Sequence, residues 1–314
     1  MPLTQLNFQP GIDTENTETG AEGKWIDCDK VRFRKGLPQK IGGWTKFSEA
    51  YYVGVGRALE QWFALDGSRY EALGTDRKVY AYVAGKSQDI TPIRETATLV
   101  NAITTTNTSA TLTISDSSHG ADVGDFVTLS SVSANVGGIL STVLDAEYEI
   151  LTITNVDAYT ILSSATATST VGPTANCTAN YQLNIGPSEQ TFGYGWGSGA
   201  WSASTWGTAR STSNVTIDAR LWSINNWGED LVITQKDGGT YEWDTSGGMS
   251  GNRATVIANA PTTSTLSMIS TETRHVVCMG TETTIGSSAT QDKMFIRWSD
   301  QENYNFWTPN VTNS

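Results

Sequence analysis

Any chemistry in this chain would have to come from a small set of residues. The histidines are His119 and His275, and the cysteines are Cys28, Cys177 and Cys278. The two histidines are distant from each other and the three cysteines are scattered, so no zinc spacing is present. No metal site and no cofactor are expected. Three dispersed cysteines define no disulfide framework. The chain has neither a G-x-S-x-G elbow nor a P-loop. Acids do come in pairs, Glu229 with Asp230 and Asp145 with Glu147. Two carboxylates flanking a scissile bond are what a glycosidase needs, but acids are also common in turns. DAEYE alternates its acids as one face of a strand would, and no loop has EF-hand spacing. His119 reads as a turn residue. His275, in RHVVCMG, reads as a strand residue with a satisfied ring. The expectation is a non-enzyme.

Two stretches could bind rather than react. GYGWGSGAWSASTWG (193–207) sets Trp196, Trp201 and Trp206 five residues apart with no charge between them. A five-residue spacing fits neither one strand face nor one helix face. Base stacking comes with a cationic groove, and the nearest cation is Arg210. The expected role is an ordered packing loop at a blade or subunit interface, where indoles supply contact area. Carbohydrate stacking is the alternative. In KVRFRKG, Val31 and Phe33 alternate with Lys30, Arg32 and Arg34. This predicts a half-buried strand whose basic face is either plainly solvated or meets a subunit. One strand's cations are a small footprint for DNA. GLPQKIGGW reads as a structural turn through Gly42 and Gly43 that delivers Trp44.

Charge narrows the partners further. The formal net charge is −12. No Lys or Arg lies between Arg94 and Arg210, and that stretch holds nine acids. A purely anionic block cannot displace counterions from a phosphate backbone. No leader is visible in MPLTQLNFQPG, and no segment approaches the ~20 apolar residues of a membrane span.

The elements that must position these residues read as strands. Charged residues are 17% of the chain, Thr, Ser, Gly and aromatics abound, and no long helical period is present. The fold class expected is all-β. Residues 95–185 read as a small inserted barrel or sandwich of about six strands. ATLTISDSSHGADVGDFVTLSS forms one hairpin around Gly120 and Gly124, and EYEILTITNVDAYTILSS forms another around Asn155-Val156-Asp157. The flanks, 1–94 and 186–314, carry a weak repeat of strand, turn, apolar strand, turn and aromatic strand. Its copies begin at Arg57, Ala219 and Ser264, and Gly238-Gly239 marks a turn in the second. A spacing of this order suggests β-propeller blades. About three can be counted, fewer than a closed propeller needs.

GKWIDCDKVRFRKGLPQKIGGW, DITPIR, GYGWGSGAWSASTWGTAR and RWSDQENYNFWTP resemble the tail nozzle, or tail hub, proteins of short-tailed bacteriophages. The same role is also called tail tubular protein B or packaged-DNA stabilisation protein. The segment from HGADVGDF to AYTIL is similar to a small β-barrel inserted in many phage tail proteins. The resemblance implies a virion structural protein in the tail, a propeller-based homo-oligomeric ring, typically a hexamer. Such a ring contacts a tail adaptor and fibre or tip proteins, and viral DNA passes through it. An acidic lumen would let that DNA slide without sticking. The anionic module would then sit outside as a decoration or docking site. Receptor recognition through carbohydrate is the other function carried forward.

Overall fold

The computed structural model describes residues 9–43, 45–48, 50–184 and 219–308. The chain divides into two units, 1–49 and 50–314. In the first, β1 (Val31–Arg34) pairs antiparallel with β2 (Leu37–Lys40). Lys35 and Gly36 between them both have positive φ, 51° and 82°. Two left-handed residues give the turn whose twist matches its strands. Half-buried Val31 and Phe33 alternate with exposed Arg32 and Arg34, and the Trp25 ring lies 6.2 Å from that of Phe33.

The second unit is built from antiparallel meanders. Blade 1 runs in order through β3 (Gly56–Phe63), β4 (Arg69–Thr75), β5 (Val79–Val83) and β6 (Lys86–Asp89). Next comes an eight-stranded sheet of β7 (Ile93–Leu99), β8 (Ile103–Thr105), β9 (Thr111–Ser115), β10 (Phe126–Ser130), β11 (Glu147–Asn155), β12 (Ala158–Leu162), β13 (Val171–Thr174) and β14 (Cys177–Gln182). A single helical turn, α1 (Ser141–Leu144), precedes β11. Blade 2 is β15 (Trp222–Trp227), β16 (Asp230–Gln235), β17 (Thr240–Trp243) and β18 (Thr255–Val256). Blade 3 is β19 (Leu266–Ile269), β20 (Val276–Met279) and β21 (Ile296–Trp298). The fold is therefore all-β, with blades where the repeat places them.

Blade 2 is covered on both faces, and its sequence shows why. Successive strand residues point to opposite faces. Trp222 and Ile224 of β15, Leu231 and Ile233 of β16, and Trp243 pack with Trp62, Tyr70 and Ala72 of blade 1. Trp227 and Val232, one step out of phase, pack with Val276 and Cys278 of blade 3. A strand buried on both sides loses its polar alternation, so β16 reads DLVITQ and is buried from Leu231 to Gln235. The first strands converge, with β15 touching both β3 and β19. That is a fan of three blades hinged along their inner strands.

The indoles also carry the polar contacts between blades. Trp62 Nε1 donates to the Glu229 carbonyl at 2.7 Å, and Trp222 Nε1 donates to the Thr75 carbonyl at 2.6 Å. A buried indole N–H needs such a partner. Gly74 lies beneath Trp222. A Cβ there would stand 2.7 Å from the indole Cδ1, so the close approach of the blades requires glycine.

The eight-stranded sheet curls around a core of its own, with Leu112, Ile114, Leu129, Ile150, Tyr159 and Ile161 among its most buried members. Its order is β13-β8-β9-β12-β11-β10-β14-β7, open between β13 and β7. Pro173 interrupts β13, whose register shifts there. Proline cannot donate to a ladder. One expectation is corrected here: β9 and β10 do not form a hairpin. β9 pairs with β12 and β10 with β11, so the β11–β12 hairpin lies between them. Alternation in each strand marks its buried face and leaves its partner open. The strands number eight where six were expected.

Candidate assembly interface

The acids of the eight-stranded sheet meet cations supplied from outside it. Lys78, in the β4–β5 turn, is buried, with its side chain 4% exposed. Its ammonium pairs with Asp89 Oδ2 at 2.9 Å and with Glu147 Oε1, and it lies 4.1 Å from the centre of the Phe126 ring. Arg253, from the β17–β18 side of blade 2, pairs with Asp89 at 3.1 Å and with Glu147 at 3.3 Å. Gln182 Nε2 donates to Glu147 Oε2 at 2.5 Å. This clasp ties blade 1, blade 2 and the inserted sheet together. Burial alone would raise the Asp89 carboxyl, but Lys78 and Arg253 hold it below its ordinary value. Arg77 repeats the pattern nearby, bonding to Glu149 Oε1 at 2.5 Å and to the Gly124 carbonyl at 3.3 Å.

A second polar group lies inside the sheet. Tyr159 and Tyr181 hydroxyls are 3.0 Å apart, and Tyr181 donates to Asp116 Oδ2 at 2.6 Å. Burial pushes both phenols far above their ordinary range. His119 packs edge-on against Tyr159 at 5.1 Å. Its Nδ1 accepts from Ala121 N at 3.1 Å and its Nε2–H donates to the Asn155 carbonyl at 3.2 Å. These bonds fix the tautomer and hold the connection that the expected hairpin would have occupied. His275 Nδ1–H donates to the Ser299 carbonyl at 2.7 Å.

The acids that spacing could pair have separate structural partners. Glu229 Oε1 accepts from Leu65 N at 2.5 Å, and Asp230 Oδ1 accepts from Thr245 N at 3.0 Å. Asp145 Oδ1 accepts from Val132 N at 2.9 Å, while Glu147 belongs to the clasp. Burial pushes the Cys177 and Cys278 thiols up to about 11, which keeps them protonated and unreactive. Among the described residues, no group of three His, Cys, Asp or Glu side chains is placed to hold a metal. Among the described residues, no helix is long and apolar enough to cross a membrane.

Of the residues singled out by sequence, Lys30, Arg32 and Arg34 are all exposed in the first unit. Lys30 pairs with Asp29 at 3.0 Å, and Arg32 Nε donates to Gln39 at 3.2 Å. Trp196, Trp201, Trp206 and Trp44 lie outside the described residues. Gly42 and Gly43 follow β2 in exposed backbone. Gly120 and Gly124 have positive φ, 58° and 91°, on the connection from β9 to β10. In the β16–β17 turn, Asp237 takes the left-handed conformation, while Gly238 makes room for the Gln235 side chain, 2.6 Å from where a Cβ would stand.

The fan leaves one apolar sheet face with nothing stacked on it among the described residues. On blade 3, one face carries the cross-strand rows Leu266–Met279–Ile296 and Met268–Val277–Trp298. On blade 1, the face away from blade 2 sets Leu59, Gln61 and Phe63 opposite Leu73, Glu71 and Arg69, and the segment before β3 reaches it: Val53 N donates to the Tyr80 hydroxyl at 3.0 Å, and Tyr80 and Tyr82 are buried. Reading the sequence alone misses the blade 3 face, because it identifies aromatic strands without showing which side a neighbour covers. It also misses the clasp. One signal was present: acids in a cation-free segment can find cations only from its flanks.

No family model matches the chain, and no curated protein matches it. Among solved structures it is similar to a phage phi92 endosialidase, with 13% identity and a TM-score of 0.25. The match covers 83% of this chain and 47% of that one, so the chain spans about half the length of that structure.

Proposed function

We propose that the chain is a virion structural protein, a self-assembling component of the tail nozzle of a short-tailed bacteriophage. In this role it conducts and retains genomic DNA and does not catalyse a reaction. The observation that carries the structural role is the three-bladed fan with an open apolar face on blade 3. Such a scaffold is rigid within and unfinished on that face. Carboxylates committed to backbone donors or to cations favour a framework over a reaction centre. The phage assignment rests on the sequence resemblance. The net charge of −12 suits a wall past which DNA must slide.

The test is electron microscopy of virions labelled with an antibody to this chain. Label at the distal end of the tail, around a channel, is expected. Label on lateral projections, or none, overturns the nozzle reading. Trp298 is exposed on blade 3. If binding to host polysaccharide quenched its fluorescence, receptor recognition would take the nozzle's place.

A further inference from the structure

We infer that the β1–β2 ribbon is a contact for the phosphate backbone of double-stranded DNA. This deepens the DNA-retaining part of the proposed function and rests on it. The cations of the chain are as unevenly spread as its acids. No Asp or Glu lies between Asp29 and Glu49, and that stretch holds six Lys and Arg. Five of them, Lys30, Arg32, Arg34, Lys35 and Lys40, lie on or beside the ribbon, and all five are exposed. Phosphates shed their counterions to cations that are free to reach them. Lys30 is paired with Asp29, but among the described residues Arg32, Arg34, Lys35 and Lys40 form no ion pair. In the second unit, by contrast, Arg77, Lys78, Arg253 and Arg297 are each held by a carboxylate.

One strand's cations are a small footprint, and the structure adds to them the turn and the second strand. Arg32 and Arg34 share a face with Gln39 and Leu37, their cross-strand partners. Lys40 stands opposite Val31 on the other face, and Lys35 sits in the turn at the tip. All four residues of β2 are exposed, which leaves the ribbon accessible along its length. Residues two apart on a strand are separated by about 7 Å, roughly two base-pair steps along the DNA axis. A flat anionic surface, such as a membrane, meets only one face of a ribbon. The major groove of DNA admits a two-stranded β-ribbon, with phosphates along both of its walls. Charge on both faces and at the tip fits the groove. Contacts of this kind carry no sequence information, which suits a protein that must hold any part of a genome.

Fluorescence anisotropy of a labelled duplex of arbitrary sequence, titrated with the 314-residue chain at several salt concentrations, tests this. The slope of log K against log salt is expected between about −3 and −5, at about −0.9 for each phosphate contact. Arg34→Gln combined with Lys40→Gln should bring that slope about 2 nearer to zero. Arg34→Lys keeps the charge and should leave the slope unchanged. So should Lys86→Gln, which removes an exposed cation from blade 1. Circular dichroism checks that each variant is folded, and Lys35→Gln with Lys40→Gln replaces the double variant if it is not. A parent chain that does not bind the duplex overturns the inference, as does a slope that the ribbon variants leave alone or that Lys86→Gln changes equally. Binding to phosphatidylglycerol vesicles but not to the duplex would assign the ribbon to a membrane surface and overturn it too. Virion labelling reports where the chain sits and the salt titration reports the ribbon, so the two readings can fail separately.

Discussion

Among single residues, Lys78 has the largest predicted effect on stability. Its ammonium is buried between Asp89 and Glu147, and removing one partner from a buried pair leaves the other charge uncompensated. Lys78→Ala is expected to destabilise the chain by about 3 kcal/mol in denaturant unfolding. Lys78→Ala with Asp89→Asn should cost less than the sum of the two, because the second change removes the stranded charge. Asp89 also sets a pH dependence. Its folded carboxyl titrates below the ordinary value of 3.8. The unfolded chain therefore binds the proton first, and the contribution of Asp89 is complete above about pH 4 and lost as pH falls through the folded value. Thermal melts from pH 6 downward should show Tm falling in that window, with a shallower fall in Asp89→Asn. Lys78 shows no motif. Its role comes from three segments far apart in sequence meeting at one point.

At the scale of elements, the contact between blades 1 and 2 depends on close approach. Gly74 admits Trp222, whose indole donates across the interface. Gly74→Val should force the two sheets apart and lower stability by at least 2 kcal/mol, within the usual cost of overpacking a core. An unfolding midpoint unchanged from the parent would refute this. The strands were largely legible. VYAYV, DLVITQ and TYEW carry apolar residues at intervals that strands impose. The β11–β12 hairpin was legible too, since Asn155-Val156-Asp157 separates two alternating runs. The pairing of β9 with β12 was not, because partner choice in a sheet depends on which strand arrives beside it and leaves no mark on local alternation.

For the whole molecule, the inserted sheet has its own core and is joined to the blades chiefly through ion pairs at the clasp. A core of its own predicts that the sheet is a separate cooperative unit, coupled to the fan by the clasp. Breaking the clasp with Arg253→Ala and Glu147→Ala should split one calorimetric transition into two, since a sheet with its own buried cluster can melt alone. A single transition in that variant would mean that other contacts couple the units. The clasp and Arg77 answer part of the uneven charge distribution, at Glu147 and Glu149. Residues 95–209 carry acids without cations, and Lys78, Arg77 and Arg253 meet the acids at the junction.

The sequence by itself determined the class of fold. Its composition and alternation dictate strands, and its turn residues space them. The tertiary structure alone decided which strands neighbour one another, which cations neutralise the buried acids and which faces of the fan remain open. Alternation is a local property of the backbone, written into every second residue. Partnership is not local. It arises when apolar faces and opposite charges far apart in the chain find the one arrangement that buries them together.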